Sequence, residues 1–588
     1  MTMKKSAALS FSELLKLWPW LRPNKKLVVA GTCMIPIVSA IAMLQPLMVK
    51  RAIDDGILIG NLPETIKWAG IALTLAVANY ICTGTQNLTT STSVHRMIRD
   101  LRRHLIRHVL CLSSKWHDHQ ISGALATRAT SDFDTLSESL NQGVLTSIID
   151  IMVLAGCITG MFLLSAKLAV TAIVILPIMT WLVVWFSKKL NQSMLSSRKN
   201  LASLNGFTQE SLSNLNAVKL LNAEAGVGKR YHNLNMAYRD AQLENVFYDS
   251  LMFSTIDGIS SITLGVALFI SIKAAGIGGE LTAGTLIAFI QYIQQLFEPL
   301  KQLGTKMAML QGAFTSIERI FGLIERKDKV KGDQPPSLHS SSIEFKSVDF
   351  RYAEAVEEKS TAKTLDQISF AVPEHSSLAI IGSTGSGKST IIKLLTKLYD
   401  GYTGEILIGG KSIEQTDPTQ LRSLMGIVPQ DIVLFEGTIA FNISLDRESI
   451  DMSQIKEAAT ITGADLFISQ LPNGYDFHVK EGGANLSHGQ RQLIIFARAL
   501  ASKPPILVLD EATSSIDPQS EAMIQSATAR LLGTRTVVVI AHRLSTIEHC
   551  DQVIVIERGK IAEKGPPDLL AKSSGRYSEL LRQSNLWQ

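Results

Sequence analysis

Gly382-Ser383-Thr384-Gly385-Ser386-Gly387-Lys388-Ser389 is the stretch that decides how this chain folds. It fits G-x-x-x-x-G-K-[ST], a loop whose glycines let successive backbone N–H groups turn inward onto phosphate oxygens. In that pattern Lys388 brings positive charge to the β- and γ-phosphates, and the Ser389 hydroxyl is a Mg²⁺ ligand. Both flanks suit the loop. Ser377–Ile381 (SLAII) predicts a buried strand, and Thr390–Leu398 predicts a helix whose N-terminus faces the phosphates. A Gly/Ser-rich surface turn would share the composition but not the two flanks.

More chemistry lies C-terminal to the loop. Ile506–Glu511 (ILVLDE) is an apolar strand that ends in two carboxylates. Asp510 at such a strand end serves the Mg²⁺ shell. Glu511 could then polarise the attacking water as general base. A second strand, Thr536–Ile540 (TVVVI), delivers Ala541-His542 to the same sheet edge, where an imidazole could position the water and the γ-phosphate. Taken alone, His542 would read as structural; beside the loop and Asp510-Glu511 it reads as functional. The pattern of short strands and helices from Ile343 onward predicts an α/β nucleotide-binding domain over 343–588. Glu325–Ser342 (ERKDKVKGDQPPSLHSSS) is charged, then rich in Pro and Ser, and reads as a linker.

The first half has a different character. At 588 residues the chain should hold more than one domain, and its 46% hydrophobic content is concentrated there. Six apolar runs are long enough to cross a bilayer: Leu27–Val49, Ile66–Thr89, Val144–Ser165, Leu168–Ser187, Leu251–Ala275 and Leu281–Leu300. Pro36, Pro46 and Pro177 lie in or near them, where kinks are tolerated if neighbours satisfy the freed carbonyls. Connections 50–65, 166–167 and 276–280 are short. Connections 90–143 and 188–250 are long, helical in pattern and rich in basic residues, among them Arg96, Arg99, Arg102, Arg103 and Arg107. The positive-inside rule puts both long loops, and with Lys25 and Lys26 the N-terminus, in the cytoplasm. Six spans return the chain there, so both termini are expected on the cytoplasmic side of the inner membrane. The long loops should turn at Trp116–Gly123 and around Thr208–Asn216.

Met1–Pro23 is no signal peptide. It carries Trp18-Pro19-Trp20 and reads as a short interfacial helix, giving expected divisions at 1–26, 27–324, 325–342 and 343–588. The net charge of +5 suggests no nucleic-acid partner; the basic residues suit a helix face near anionic lipid headgroups. Five scattered cysteines without C-x-x-C argue against a disulfide framework or a zinc site. His104, His108, His117 and His119 lie close in sequence, but no Cys or paired carboxylate completes a metal set. Asp150 and Asp257 sit a few residues inside runs three and five, and Gln291, Gln294, Gln295 and Glu298 mark one region of run six. Polar groups at membrane depth usually face a bundle interior or an aqueous cavity. These residues, with Asp150, Asp257, Gln291 and Gln295 foremost, either line a substrate pathway or lie wet at a membrane edge.

The second half resembles the ATPase domain of ABC transporters, and the whole chain resembles an ABC exporter half-transporter with its six-helix membrane domain fused ahead of the ATPase. Leu486-Ser487-His488-Gly489-Gln490 is close to the family signature L-S-G-G-Q, and Ala497-Arg498-Ala499-Leu500 follows it. The resemblance implies that Tyr352 stacks on adenine and that Gln430 in Val428-Pro429-Gln430 contacts Mg²⁺ and water. It implies nucleotide contacts from Gly382 through Thr390 and from Ser487, Gly489 and Gln490 of a second chain. Ser515-Ile516-Asp517 matches the loop that crosses the dimer interface, and Glu511 and His542 match the catalytic glutamate and switch histidine. Gly284–Leu323 looks most like bacterial multidrug-type exporters. Two departures stand out: His488 replaces the second signature glycine, and Ala353–Lys363 is long, as for a surface hairpin extension. The resemblance further implies a homodimer or a related heterodimer, ATP and Mg²⁺ as cofactors, and a drug, lipid or peptide as substrate. An ATP-gated channel or regulator, and an importer on an exporter scaffold, are the alternative functions.

Overall fold

The structure is a computed structural model and describes residues 11–118, 120, 122–275, 282–328, 332–336, 340–352, 363–510, 518–541 and 547–585. The chain divides into two units: Met1–Leu110 with Ser122–Arg326, and Cys111–Ile121 with Lys327–Gln588. Cys111–Ile121, the far end of the first long loop, thus groups with the second unit.

The first unit is helical. Its long helices are Lys25–Arg51, Leu62–Leu110, Thr146–Leu164, Ala166–Ser213, Glu224–Ala275 and Ala283–Ile324. They hold the six apolar runs, the last from Ala283 onward, and continue through Pro36, Pro46 and Pro177. Among the described residues, four helical stretches are long and apolar enough to cross a membrane: Glu13–Ile57, Leu62–Leu110, Leu125–Leu164 and Ala166–Ser213. The long helix ends at Ser213, within the stretch Thr208–Asn216 where the turn is expected; a short helix then runs over Leu215–Leu220, and a second break follows at residues 221–223. There Asn222 takes a φ of 49°. Asparagine accepts the left-handed region more readily than most residues.

Met161, Met179, Phe289, Tyr292, Leu296 and Phe297 share one buried cluster of this unit. Tyr292 reaches furthest: its hydroxyl donates to the Met43 carbonyl, and its ring lies where a side chain on Gly160 would have to be. Close helix approach through small residues is how apolar helices gain contact when lipid removes the hydrophobic advantage.

The second unit is built on strands β1 (Ile343–Phe350), β2 (Leu365–Val372), β3 (Ser377–Gly382), β4 (Thr403–Ile408), β5 (Lys411–Ser412), β6 (Met425–Val428), β7 (Gly437–Thr438), β8 (His478–Val479), β9 (Ile506–Asp510), β10 (Thr536–Ile540), β11 (Gln552–Glu557) and β12 (Lys560–Gly565). An antiparallel sheet runs β2-β1-β4-β5, and the main sheet runs β12-β11-β3-β10-β9-β6, parallel except for its β12 edge. The apolar interiors of β3, β9 and β10 fit strands covered on both faces. Their alternate residues fall into two separate cores. Leu378, Ile380, Val508, Val538 and Ile540 join one; Ala379, Ile381, Leu509, Val537 and Val539 join the other. The first core takes Ile391, Leu394 and Leu395 of the helix Lys388–Leu395, and the second takes Leu493–Ala497 and Ala499–Ala501 of the helix His488–Ala501. The two helices therefore cover opposite faces of one sheet.

Candidate functional site: a phosphate loop and a signature helix

The phosphate loop leaves the C-terminal end of β3, where a doubly covered parallel sheet offers its binding crevice. Gly382 has a φ of 150° and Gly387 a φ of 108°. A Cβ on Gly382 would come within 2.2 Å of the Ile556 carbonyl oxygen, and one on Gly387 within 2.7 Å of Leu365 Cδ2. No other residue fits either place. The helix begins at Lys388, two residues earlier than the sequence predicts. It ends at Leu395 and not Leu398, because the chain turns away at Lys397, whose φ is 52°.

Lys388 is buried and spans its own loop, donating to the carbonyls of Gly382 (2.7 Å) and Ser383 (2.9 Å). Burial holds its ammonium below the ordinary lysine value, and the nearby Asp510 carboxylate opposes that shift. Ser386 Oγ is buried with no hydrogen-bond partner among the described residues. A buried hydroxyl in that position suits an anion seated in the loop. Tyr352 is tied to the same helix: its hydroxyl lies 3.2 Å from Thr390 Oγ1, and Lys393 Nζ is 5.8 Å from its ring centroid.

Strand register brings the rest of the edge together. Ile540 pairs with Ile380 on one side and with Asp510 on the other. Asp510 and Ala541 therefore leave the sheet level with the phosphate loop. Glu511 and His542 follow directly in sequence but lie outside the described residues, as do Ser515-Ile516-Asp517 and most of Ala353–Lys363. Gln430 is exposed two residues beyond β6. Ser389, Gln430 and Asp510 offer a hydroxyl, an amide and a carboxylate. That hard-oxygen set fits a Mg²⁺ bound chiefly by phosphates and water, and no denser cluster of His, Cys, Asp or Glu occurs among the described residues. His104 packs instead on Trp20, with ring centroids 5.1 Å apart, and His119 is not described.

Ser487 caps the helix His488–Ala501. Its Oγ accepts from Gln490 N (3.2 Å), and Gln490 Oε1 accepts from Ser487 N (2.9 Å). This reciprocal cap gives the spacing Ser-x-x-Gln a structural role of its own. Gly489 is buried, and His488 Nδ1 is buried without a partner among the described residues. Further along, Arg498 donates to Asn442 O (2.6 Å), Asn442 Oδ1 (3.1 Å) and Val433 O (3.0 Å), tying this helix to the segment after Gln430. Burial, with Arg447 nearby, pushes Arg498 down to about 10.

Two features escaped the sequence reading. Asp118, in the short helix Ser114–Asp118, accepts from the Tyr399 hydroxyl, and Tyr399 packs 5.2 Å from Tyr352. Asp150 and Asp257 are both paired: Asp150 with Lys306, and Asp257 with Lys301 at 2.6 Å, with Glu298 3.9 Å from the same lysine. Lys301 and Lys306 lie beyond the sixth apolar run, where nothing in their spacing marked them. Gln291, Gln294, Gln295 and Glu298 form one polar stripe at helical spacing, and Gln295 Oε1 accepts from Cys157 Sγ (3.3 Å). The structure thus joins Asp257 to this stripe through Lys301 and seats Asp150 in a separate, half-buried pair.

Comparison with known proteins agrees with this architecture. Residues 28–300 match the ABC transporter transmembrane region, and residues 365–514 match the ABC transporter family description. The uncharacterized ABC transporter ATP-binding protein YknV of Bacillus subtilis (strain 168) is 33% identical over 584 residues, covering 97% of this chain and 94% of that protein. The probable multidrug resistance ABC transporter ATP-binding/permease protein YheH of the same strain is 34% identical over 497 residues, covering 83% of this chain and 72% of that one. The solved structure of a bacterial Atm1-family ABC exporter with ATP bound superposes with a TM-score of 0.78 at 27% identity, covering 95% of this chain and 98% of that one.

Proposed function

This chain belongs to the ABC transporter family, and we propose that it is one half of an exporter that moves a hydrophobic or amphipathic substrate (a drug, lipid or peptide) across the inner membrane. It couples ATP hydrolysis to export. Our reading has six spans, both termini in the cytoplasm, and a second half-transporter, identical or related, completing the dimer. The observation that carries it is the placement of two helices on opposite faces of one sheet. A phosphate loop on one face and a Ser487-capped N-terminus on the other are poorly placed to grip one γ-phosphate from a single chain. Two chains related by a two-fold axis can do so, each ATP lying between the loop of one and Ser487, Gly489 and Gln490 of the other.

In this account Tyr352 stacks on the adenine. The N–H groups of Gly382–Thr390 and the Lys388 ammonium hold the phosphates. Ser389, Gln430 and Asp510 would hold Mg²⁺, which when bound neutralises charge developing on the phosphates. Glu511 takes the proton of the attacking water, and His542 orients that water against the γ-phosphate. ATP can drive the cycle only through a higher affinity for the closed dimer than for the open one. Asp257, Gln291 and Gln295 line the substrate pathway, while Asp150 contributes to it through its pair with Lys306.

Inverted membrane vesicles test the direction. Cationic amphiphiles and short-chain fluorescent lipids should accumulate inside them only with ATP, and not with Glu511→Gln. Asp257→Asn should change which of these compounds accumulate. Equilibration without hydrolysis would make the protein a gate, and ATP-driven loss from preloaded vesicles would make it an importer.

A further inference from the structure

The first unit contains a cavity whose lining includes none of the residues assigned above to nucleotide or substrate. Its volume is about 160 Å³, and its walls include Leu17 and Leu21 of the N-terminal segment, Ile35, and Val94. Leu17, Ile35 and Val94 are each at least 95% buried. The cavity lies beside the start of the first apolar run at Leu27 and the end of the second at Thr89. That is the level of a membrane boundary, within reach of small molecules dissolved in the bilayer.

Two buried polar residues interrupt the apolar wall. Gln86 is 3% exposed, and its amide lies 3.5 Å from Thr90 Oγ1. Ser93 is 2% exposed, and its Oγ is buried with no hydrogen-bond partner among the described residues. Buried hydroxyls nearly always have a partner. An apolar cavity with one or two convergent polar groups is the usual form of a small-molecule site. Size limits the guest, since a cavity of about 150 Å³ lined by aliphatic and aromatic side chains stays dry and takes up benzene.

We propose that this cavity binds a small amphiphile with a single hydroxyl, a phenol or a short alkanol, whose apolar body is about a benzene ring in size and whose hydroxyl bonds to Ser93. A phospholipid tail could supply apolar bulk but no hydroxyl at that depth, so dependence on the hydroxyl separates the two sources.

The test uses the full-length protein in lipid nanodiscs and a six-carbon alkanol that carries a diazirine. Photolysis and peptide mapping should place the label on residues 14–21 or 86–94. Hexanol should compete at least about 5-fold better than hexane at equal mole fraction in the bilayer, the factor expected for one hydrogen bond. Ser93→Ala should keep the label but abolish that preference, and Val94→Phe should fill the space and remove the label. Ser93→Ala carries the test alone if Val94→Phe does not fold. Label confined to other segments, or hexane competing as well as hexanol in the parent protein, would overturn the proposal.

Discussion

Replacing Arg498 with methionine removes a charged fork while keeping similar apolar bulk. Three acceptors lose a donor: Asn442 O, Asn442 Oδ1 and Val433 O. They are not equal. Asn442 Oδ1 still receives Phe435 N at 2.9 Å, and Val433 O lies near enough to the surface to take water. Asn442 itself is fully buried, so its carbonyl oxygen is left unsatisfied. One orphaned buried acceptor costs about 1–3 kcal/mol, and losing hydrogen bonds to a charged group adds to that. Relief from burying the guanidinium, whose lowered pKa records its desolvation, offsets part. The net loss is about 2–3 kcal/mol, or about 4–12 °C in the unfolding temperature of a domain of this size. Thermal unfolding of the purified protein, read by tryptophan fluorescence, measures it. ATP turnover should also fall, because the loosened segment follows Gln430, while nucleotide affinity should hold, because Lys388 rests on the opposite face. Arg498→Lys should recover part of the stability, since one ammonium cannot reach all three acceptors. A shift under about 2 °C for Arg498→Met would refute this ledger.

Glu511→Gln keeps size and hydrogen bonding but not basicity, so ATP should still bind while turnover falls by about two orders of magnitude or more; near-parental ATPase activity would remove Glu511 from its role. Lys306→Met leaves Asp150 without its partner and should cost about 3–5 kcal/mol, whereas Lys306→Met with Asp150→Asn should recover most of it, as thermal unfolding in one detergent would show. Losses that simply add would mean the pair is not coupled. On the proposed function protonated Lys388 holds phosphate; burial lowers its pKa, so nucleotide affinity should weaken as pH rises through a value below that of a free lysine. A fluorescent ATP analogue titrated between about pH 7 and 10 reads this, and Lys388→Arg, charged throughout, should flatten the profile; parallel profiles would contradict it.

How much of this could be read from the chain depends on how local each signal is. The phosphate loop, β9 and β10 were legible because periodicity, glycine and charge fall within a few residues. Ser487 and Gln490 were also legible, being neighbours on one helical turn. The end of the second long helical arm is legible, since the helix breaks at Asn214 within the expected stretch; the further break at Asn222, with its positive φ, follows a short helix that composition does not mark. The partners of Asp150 and Asp257 were out of reach. Lys306 is separated from Asp150 by 156 residues, and only the packing of two long helices pairs them. Asp118 reads from the sequence only as part of a turn. Its significance comes from Tyr399, whose proximity to Tyr352 depends on the sheet that carries both.

The composite ATP site is tested most directly by a mixed dimer, one chain carrying Lys388→Ala and the other Ser487→Arg, isolated through two different tags. If each ATP lies between the loop of one chain and the signature of the other, one sandwich collects both defects and its twin is intact. The account predicts that the mixed dimer occludes nucleotide at one site, while neither mutant homodimer occludes any. Failure of the assembled mixed dimer to bind or occlude nucleotide would contradict it.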